Sequence, residues 1–334
     1  MTRIRSISEG YICLVAGTGS IGRLHVGALR RLIPDVRFVL LRRRVAHDEW
    51  SREIDAAIVD STDAALAARP QLAVIATPSA LHADLLIPLL TAGVPCYVEK
   101  PVVATRSQAD RLDDWLAHAH AVPPTLCGCN LRYLPSLAAL RERLNAGAVG
   151  RIVRASLQVG QWLPDWRPQS DYRASYSARP ELGGGVVLDL VHELDMARWL
   201  FGEFTQVAAF GGKFSGLEID SDDVAGVLLA RPEGPVVTIG MDYVARRPMR
   251  RYEIIGERGT LVWDLPGCEL RVEDAQGIER IASGKDGFDV TRTYDAAMQE
   301  LLAAITGGGT TSQDIREGLR SARLAIEINE CIHG

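Results

Sequence analysis

The stretch from Tyr11 to Leu41 constrains the fold of this chain more than any other. An apolar run over residues 11–16 breaks at Gly17-Thr18-Gly19-Ser20-Ile21-Gly22. Beyond the glycines, Ile21, Leu24, His25, Ala28, Leu29 and Leu32 recur at helical spacing. Pro34-Asp35 ends that run, and a second apolar segment occupies 36–41. Strand, G-x-G-x-x-G turn, amphipathic helix, strand is the order required by a parallel sheet with a crossover helix. The first glycine allows the tight bend, the second lets backbone approach a pyrophosphate, and the third lets helix meet strand closely. The helix N-terminus adds free N–H groups for phosphate. Gly17, Gly19, Ser20, Ile21 and Gly22 are therefore expected to hold a dinucleotide. A glycine-rich turn without a ligand is the competing reading, and the strand and helix on either side count against it.

The end of the second strand usually carries an acid for the ribose hydroxyls of NAD, about twenty residues past the glycines. Here it carries Arg42-Arg43-Arg44. A guanidinium attracts a 2′-phosphate where a carboxylate would repel it. Arg42 and Arg43 thus point to NADP(H) over NAD(H), which remains possible; a solvated basic loop is the alternative. A buried strand over 72–76 ends at Thr77-Pro78-Ser79, and a helix over 80–91 closes at Gly93. A further strand over 96–98 ends in Glu99-Lys100-Pro101. Alternating buried strands and helices imply a parallel sheet covered on both faces, with ligands at the carboxyl ends of the strands. Gly17, Thr77 and Glu99-Lys100 all fall at that edge. This first domain is expected over 1–125. Only three of the 37 basic residues are lysines, Lys100, Lys213 and Lys285. A lysine can be tuned for proton transfer where arginine cannot.

Residues 126–334 read as a second, α+β domain. A helix is expected over 135–146, followed by β-rich segments from 152 onward that suggest a large, mostly antiparallel sheet. The turn at 256–260 is expected to place Gly256 and Gly259 at special backbone angles. An amphipathic helix ends the chain, with Ser312 or Asp314 as N-cap, and could fold back on the first domain. Three glycines, 183–185, precede a helical pattern over 187–200 in which Asp189 and His192 share a face. An Asp–His pair of this kind can act as an acid–base unit; a satisfied core histidine is the bland reading. Residues 161–181 interleave Trp162, Trp166, Tyr172 and Tyr176 with Arg167, Arg173 and Arg179. Such a loop suits sugar or nucleobase stacking and anionic groups, or else a subunit contact.

Composition bounds the partners. The net charge of −5 does not favour nucleic acid, and no apolar run is long enough to span a bilayer. The N-terminal arginines and short apolar run lack a small-residue cleavage site, so no signal peptide is expected. The six cysteines are scattered, consistent with free thiols in a cytoplasmic protein, and no metal site is expected.

These motifs together resemble the Gfo/Idh/MocA oxidoreductase family. The matching residues are Gly17-x-Gly19-x-x-Gly22, Thr77-Pro78-Ser79-x-x-His82, Glu99-Lys100-Pro101, Asn130-x-Arg132, and Gly183-Gly184-Gly185 followed by Asp189, His192 and Asp195. The resemblance implies that Thr77, Pro78, His82 and Glu99 serve the cofactor side and that Lys100 sits by the nicotinamide and substrate hydroxyl. A cis bond often precedes the proline. Lys100, His192 and Asp189 would be catalytic. Asn130, Arg132, Trp166, Arg167, Tyr172, Arg173 and His192 would meet the substrate. Many relatives space the acid four residues before the histidine; this chain spaces them by three. The implied activity is interconversion of hydroxyl and carbonyl on a sugar, sugar acid or nucleotide sugar, in a homodimer or homotetramer closed over the open sheet face. Two rivals are an NAD-dependent glycosidase with transient oxidation and a non-catalytic dinucleotide sensor.

Overall fold

In the computed structural model, which describes residues 10–334, the glycine turn sits at the centre of a six-stranded sheet. The stretch 1–9, part of the signal-peptide expectation, lies outside the described residues. Strands β1 (Ile12–Ala16), β2 (Arg37–Leu41), β3 (Ala57–Val59), β4 (Leu72–Ile75), β5 (Cys96–Val98) and β6 (Thr125–Cys127) are ordered β3-β2-β1-β4-β5-β6. Every pair is parallel. Cys13–Ala16, Leu72–Ile75 and Cys96–Val98 are wholly buried, as strands covered on both faces must be. The strand order reverses between β1 and β4, so their carboxyl ends open the crevice in which such sheets bind dinucleotides.

The chain divides into two compact units. The first runs to Asn130 and also takes Thr291–Ala322; the second comprises Leu131–Val290 and Arg323–Gly334. The first unit thus ends within five residues of the expected boundary at 125 and takes back a segment that includes the start of the last helix. β6 is an edge strand, and its free polar groups are met by residues 311–315. Cys127 N–H donates to Gln313 O (2.8 Å), Ile315 N–H to Thr125 Oγ1 (2.9 Å) and Thr311 Oγ1 to Thr125 O (2.5 Å). Asp314 then caps the helix Ile315–His333 by accepting from Glu317 N–H.

The second unit is built on eight strands: β7 (Ile152–Gly160), β8 (Gln206–Gly212), β9 (Val224–Ala230), β10 (Val236–Asp242), β11 (Met249–Gly256), β12 (Gly259–Asp264), β13 (Glu269–Asp274) and β14 (Gly277–Ser283). Their order is β14-β13-β12-β11-β7-β10-β9-β8, antiparallel except for β7 beside β10. One face buries Leu157, Ile239, Met241, Tyr252 and Trp263. The helices Pro135–Asn145 and Val191–Phe201 lie against strands of this sheet, and Trp263 Nε1 donates to Ser136 Oγ at 2.9 Å. The other face exposes Phe210, Leu228 and Val236. The hairpin at 256–259 forms, but neither glycine takes a positive φ. A Cβ at Gly256 would instead meet the Val149 carbonyl, and one at Gly259 the Glu273 carbonyl, so close approach is what excludes a side chain.

The helical pattern over 187–200 is two helices, Val186–Asp189 and Val191–Phe201, parted at Leu190 (φ −99°, ψ 27°). The apolar spacing runs through the break, so periodicity alone misses it. Asp189 and His192 consequently lie on different helices, not on one helix face.

Candidate active site

In the first unit, Gly17 takes φ +92°, and a Cβ there would collide with the Ala76 carbonyl at the end of β4. A Cβ at Gly22 would strike the Gly17 carbonyl, whereas one at Gly19 would meet nothing within 4 Å. Tight turn, close helix contact and an open backbone approach are thus divided among the three glycines as a pyrophosphate cradle requires. Ser20 and Ile21 open the helix Ser20–Leu32, which has no acid in its first turn. Thr77 adds a buried hydroxyl without a protein partner. These residues fit a dinucleotide.

Arg42, just past β2, donates to both carboxylate oxygens of Asp48 (3.2 and 3.4 Å) and to Ala46 O (3.3 Å). Its guanidinium lies 6.0 Å from the Trp50 ring centroid, and that of Arg23 lies 4.7 Å from the same ring. Arg43 is exposed. Asp48 caps the short helix Glu49–Glu53; hydrogen bonds from the Ser51 backbone and hydroxyl, then Arg42, lower its pKa to about 2. This acid falls seven residues past the end of β2, which is why the arginine run conceals it in the sequence.

At the next carboxyl end, Lys100-Pro101 is a cis peptide. His82 Nδ1 lies 2.9 Å from Pro101 O and its Nε2 2.8 Å from Thr77 O. The ring therefore joins the turn after β4 to the turn after β5. Burial lowers the His82 pKa, against the opposing pull of the Thr77 and Pro101 carbonyls. Pro78 begins the turn that His82 closes. Glu99 is buried; its Oε1 lies 2.7 Å from His25 Nε2, and Oε2 accepts the Lys100 backbone N–H at 3.3 Å. Asn130, also buried, donates to Thr293 Oγ1 at 2.7 Å. His25 is the site-side residue that the helical stripe places on a buried face without indicating its partner.

In the second unit, the glycine run supplies the turn into Val186–Asp189. Gly183 and Gly185 take φ +84° and +116°, and Gly184 is closed in by the carbonyls of Tyr176, Ser177 and Arg179. Asp189 is buried and accepts from two phenols, Tyr176 and Tyr243, the latter at 2.7 Å. Burial first, and the Asp189 charge next, push the Tyr243 phenol well above its ordinary pKa, so it remains a donor. Asp189 therefore orders a tyrosine wall.

His192 is the second residue of Val191–Phe201, a helix held from several sides. Glu193 meets Arg250 (2.8 Å) and Tyr252 (3.1 Å), Asp195 meets Arg132, and Arg198 meets Glu203. The Arg132–Asp195 pair is bidentate, at 2.8 and 2.6 Å, with side chains 7% and 2% exposed. In the aromatic loop, Trp166 Nε1 donates to Gln161 O, and its ring meets Tyr243 edge-on at 5.2 Å. Arg167 lies over the Tyr176 ring at 5.7 Å. Tyr172 Oη accepts from Glu218 N–H, and Arg173 bonds Asp171 and Glu218. Tyr243 comes from the loop after β10, far from the aromatic stretch in sequence.

Among the described residues no helix is long and apolar enough to cross a membrane, and no cluster of three or more His, Cys, Asp or Glu could hold a metal.

A parallel sheet ordered 3-2-1-4-5-6 with a glycine cradle at its switch point is the architecture of a dinucleotide-binding domain. The chain belongs to the GFO/IDH/MocA family. Residues 12–123 match the model described as an oxidoreductase family NAD-binding Rossmann fold, and residues 137–262 match the GFO/IDH/MocA C-terminal domain. Myo-inositol dehydrogenase Hyg17 of Streptomyces leeuwenhoekii is 30% identical over 333 residues, covering 93% of this chain and 95% of that one. Rhizopine catabolism protein MocA of Rhizobium meliloti is 34% identical over 268 residues, covering 76% and 74%. The fold is also that of levoglucosan dehydrogenase solved with NADH and levoglucosan, at TM-score 0.82 and 21% identity over 97% of this chain and 98% of that one.

Proposed function

We propose that this chain is an NADP(H)-preferring dehydrogenase that interconverts a secondary hydroxyl and a ketone on a cyclic, sugar-like polyol. The observation that carries the reading is the convergence of Gly17–Gly22, Thr77 and Lys100 on the carboxyl ends of the adjacent strands β1, β4 and β5. A bound nicotinamide would supply the two-electron acceptor or donor. The chain's own task is then the hydroxyl proton, which Lys100 and His192 would take up in oxidation and return in reduction. Gly17, Gly19, Ser20, Ile21, Gly22 and Thr77 would hold the dinucleotide, and Arg42 with Arg43 its 2′-phosphate.

The charge pairing narrows the substrate class. Arg132 and Arg173 are each met by carboxylates. With these two guanidiniums paired and Arg167 lying over the Tyr176 ring, we favour a neutral polyol against Trp166 and Tyr176 over a sugar acid or nucleotide sugar. The relatives named for myo-inositol and levoglucosan support the same class. The uncovered Phe210, Leu228 and Val236 support a homodimer or homotetramer closed over that sheet face; a monomeric mass by light scattering would remove this part of the reading.

The test is a panel of cyclic polyols and anhydrosugars with NAD⁺ and NADP⁺, followed by nicotinamide absorbance, for the wild type and Arg42→Asp. Net reduction of the cofactor by a polyol is expected. Losing charge-assisted bonds to a phosphate should cost Arg42→Asp roughly 10–100-fold in NADP(H) affinity. Equal wild-type affinities for the two cofactors would refute the NADP preference. Glycoside cleavage with no net reduction would refute the dehydrogenase reading in favour of the glycosidase.

A further inference from the structure

We infer that His25 is a positioning residue for Lys100, acting through the Glu99 carboxylate. The inference rests on Lys100 as the proton-handling group of the proposed function, but its test reads the lysine directly.

His25 lies within the helix that begins at the glycine cradle and is completely buried. Two rings fix its plane: Tyr97 of β5 at 4.3 Å between centroids, tilted, and Tyr294 at 5.6 Å, edge-on. Its Nδ1 is buried with no hydrogen-bond partner, whereas Nε2 faces Glu99 Oε1 at 2.7 Å. A buried N–H without an acceptor is costly, so the proton belongs on Nε2, donated to the carboxylate. The other oxygen of Glu99 receives the Lys100 backbone N–H at 3.3 Å. Gly128 closes the remaining side: a Cβ there would stand 3.0 Å from Glu99 Oε2 and 3.2 Å from Glu99 Cα, so a side chain would press on the carboxylate. Glu99 is also tied into the sheet, with its own N–H on Ile75 O at 2.9 Å.

A carboxylate buried at the end of a strand needs donors, and its rotamer follows them. Here one donor comes from the cradle helix and the other from the backbone of Lys100 itself. His25 thus sets the Glu99 rotamer, and Glu99 sets the direction in which the chain enters the Lys100-Pro101 turn. The same helix that offers its N-terminus to the cofactor phosphates therefore holds the base of the lysine. Mere packing of helix on sheet would be served as well by a leucine and would not require a hydrogen-bond donor facing Glu99.

The test exploits the three lysines of the chain. Lys213 and Lys285 are exposed and lie in the second unit, so they serve as internal references for Lys100, which is half-buried. Trace labelling with acetic anhydride, read by mass spectrometry, should show the relative reactivity of Lys100 changed by at least about threefold in His25→Leu. Displacing a reacting group by even an ångström can cost ~100-fold in turnover. In polyol oxidation, kcat should fall by roughly tenfold or more with NADP(H) affinity held within about twofold. His25→Gln, whose amide nitrogen can donate near the Nε2 position, should restore both readouts. If His25→Leu does not fold, Glu99→Gln gives the same labelling measurement and should shift Lys100 as well. Wild-type Lys100 reactivity in His25→Leu or in Glu99→Gln overturns the inference, as does a His25→Gln protein as impaired as His25→Leu. Altered labelling in His25→Leu together with full turnover in Lys100→Met would support the positioning while refuting catalysis by Lys100.

Discussion

If Lys100 handles the proton as proposed, Lys100→Met is expected to lower kcat for the proposed polyol oxidation by about 10²–10⁴-fold, the range supplied by a positioned acid–base group. Methionine keeps an unbranched side chain of similar length, with sulfur in place of the δ-methylene, and removes the ammonium. Gly17, Gly19 and Gly22 shape the cradle by backbone geometry, so affinity for the nicotinamide cofactor should change by no more than a few fold. The loss should thus appear in kcat, with cofactor binding preserved, which marks an interaction used in the transition state. Single-turnover rates with saturating cofactor would measure it, and titration of nicotinamide fluorescence would measure binding. Turnover within about threefold of wild type would remove Lys100 from the chemistry. A parallel collapse of cofactor affinity would instead make it a binding residue.

The first sheet was legible because its physics is local. A run such as 11–16, a glycine turn and a helical stripe each report on a few neighbouring residues, and the observed β1, Ser20–Leu32 and β2 follow them closely. Allegiance over long range was not legible. Residues 311–315 join the first unit through one backbone hydrogen bond and two that use the hydroxyls of Thr125 and Thr311 at the edge of β6, and neither a backbone donor nor a lone threonine leaves a signature in side-chain patterning. The break at Leu190 was hidden for a related reason: both short helices bury apolar residues, so Val187, Leu190 and Leu194 continue the spacing across it.

For the candidate site, residue types were visible and their partners were not. The sequence shows that Glu99, Lys100, Asp189 and His192 can do acid–base chemistry. It does not show that Glu99 faces His25 from the first helix, or that Asp189 is met by phenols at positions 176 and 243. Arginine is the clearest case. The type marks a positive charge, and only the fold decides whether that charge meets a ligand or a carboxylate of the same chain. Arg42, which opens the run after β2 and is proposed to meet a phosphate, also donates to Asp48 at the cap of the next helix.

Arg132 carries the largest expected effect on stability. Its guanidinium and the Asp195 carboxylate form two short hydrogen bonds in nearly complete burial. Removing one member of such a pair leaves an uncompensated buried charge and costs about 3–5 kcal/mol, a large share of the stability of an ordinary domain. Arg132→Leu should therefore lower the midpoint of urea unfolding markedly or prevent accumulation of folded protein. Replacing both partners by apolar residues of similar size is often neutral, so Arg132→Met with Asp195→Leu should recover most of the loss. If Arg132 served the substrate, the single variant would retain its unfolding midpoint and raise KM, and the double variant would be no better than the single. Recovery of stability by the second substitution separates the two roles, because a missing substrate contact cannot be repaired by deleting Asp195. The same pair anchors the helix carrying His192 three residues upstream, so a folded double variant would also show how much turnover depends on that anchoring.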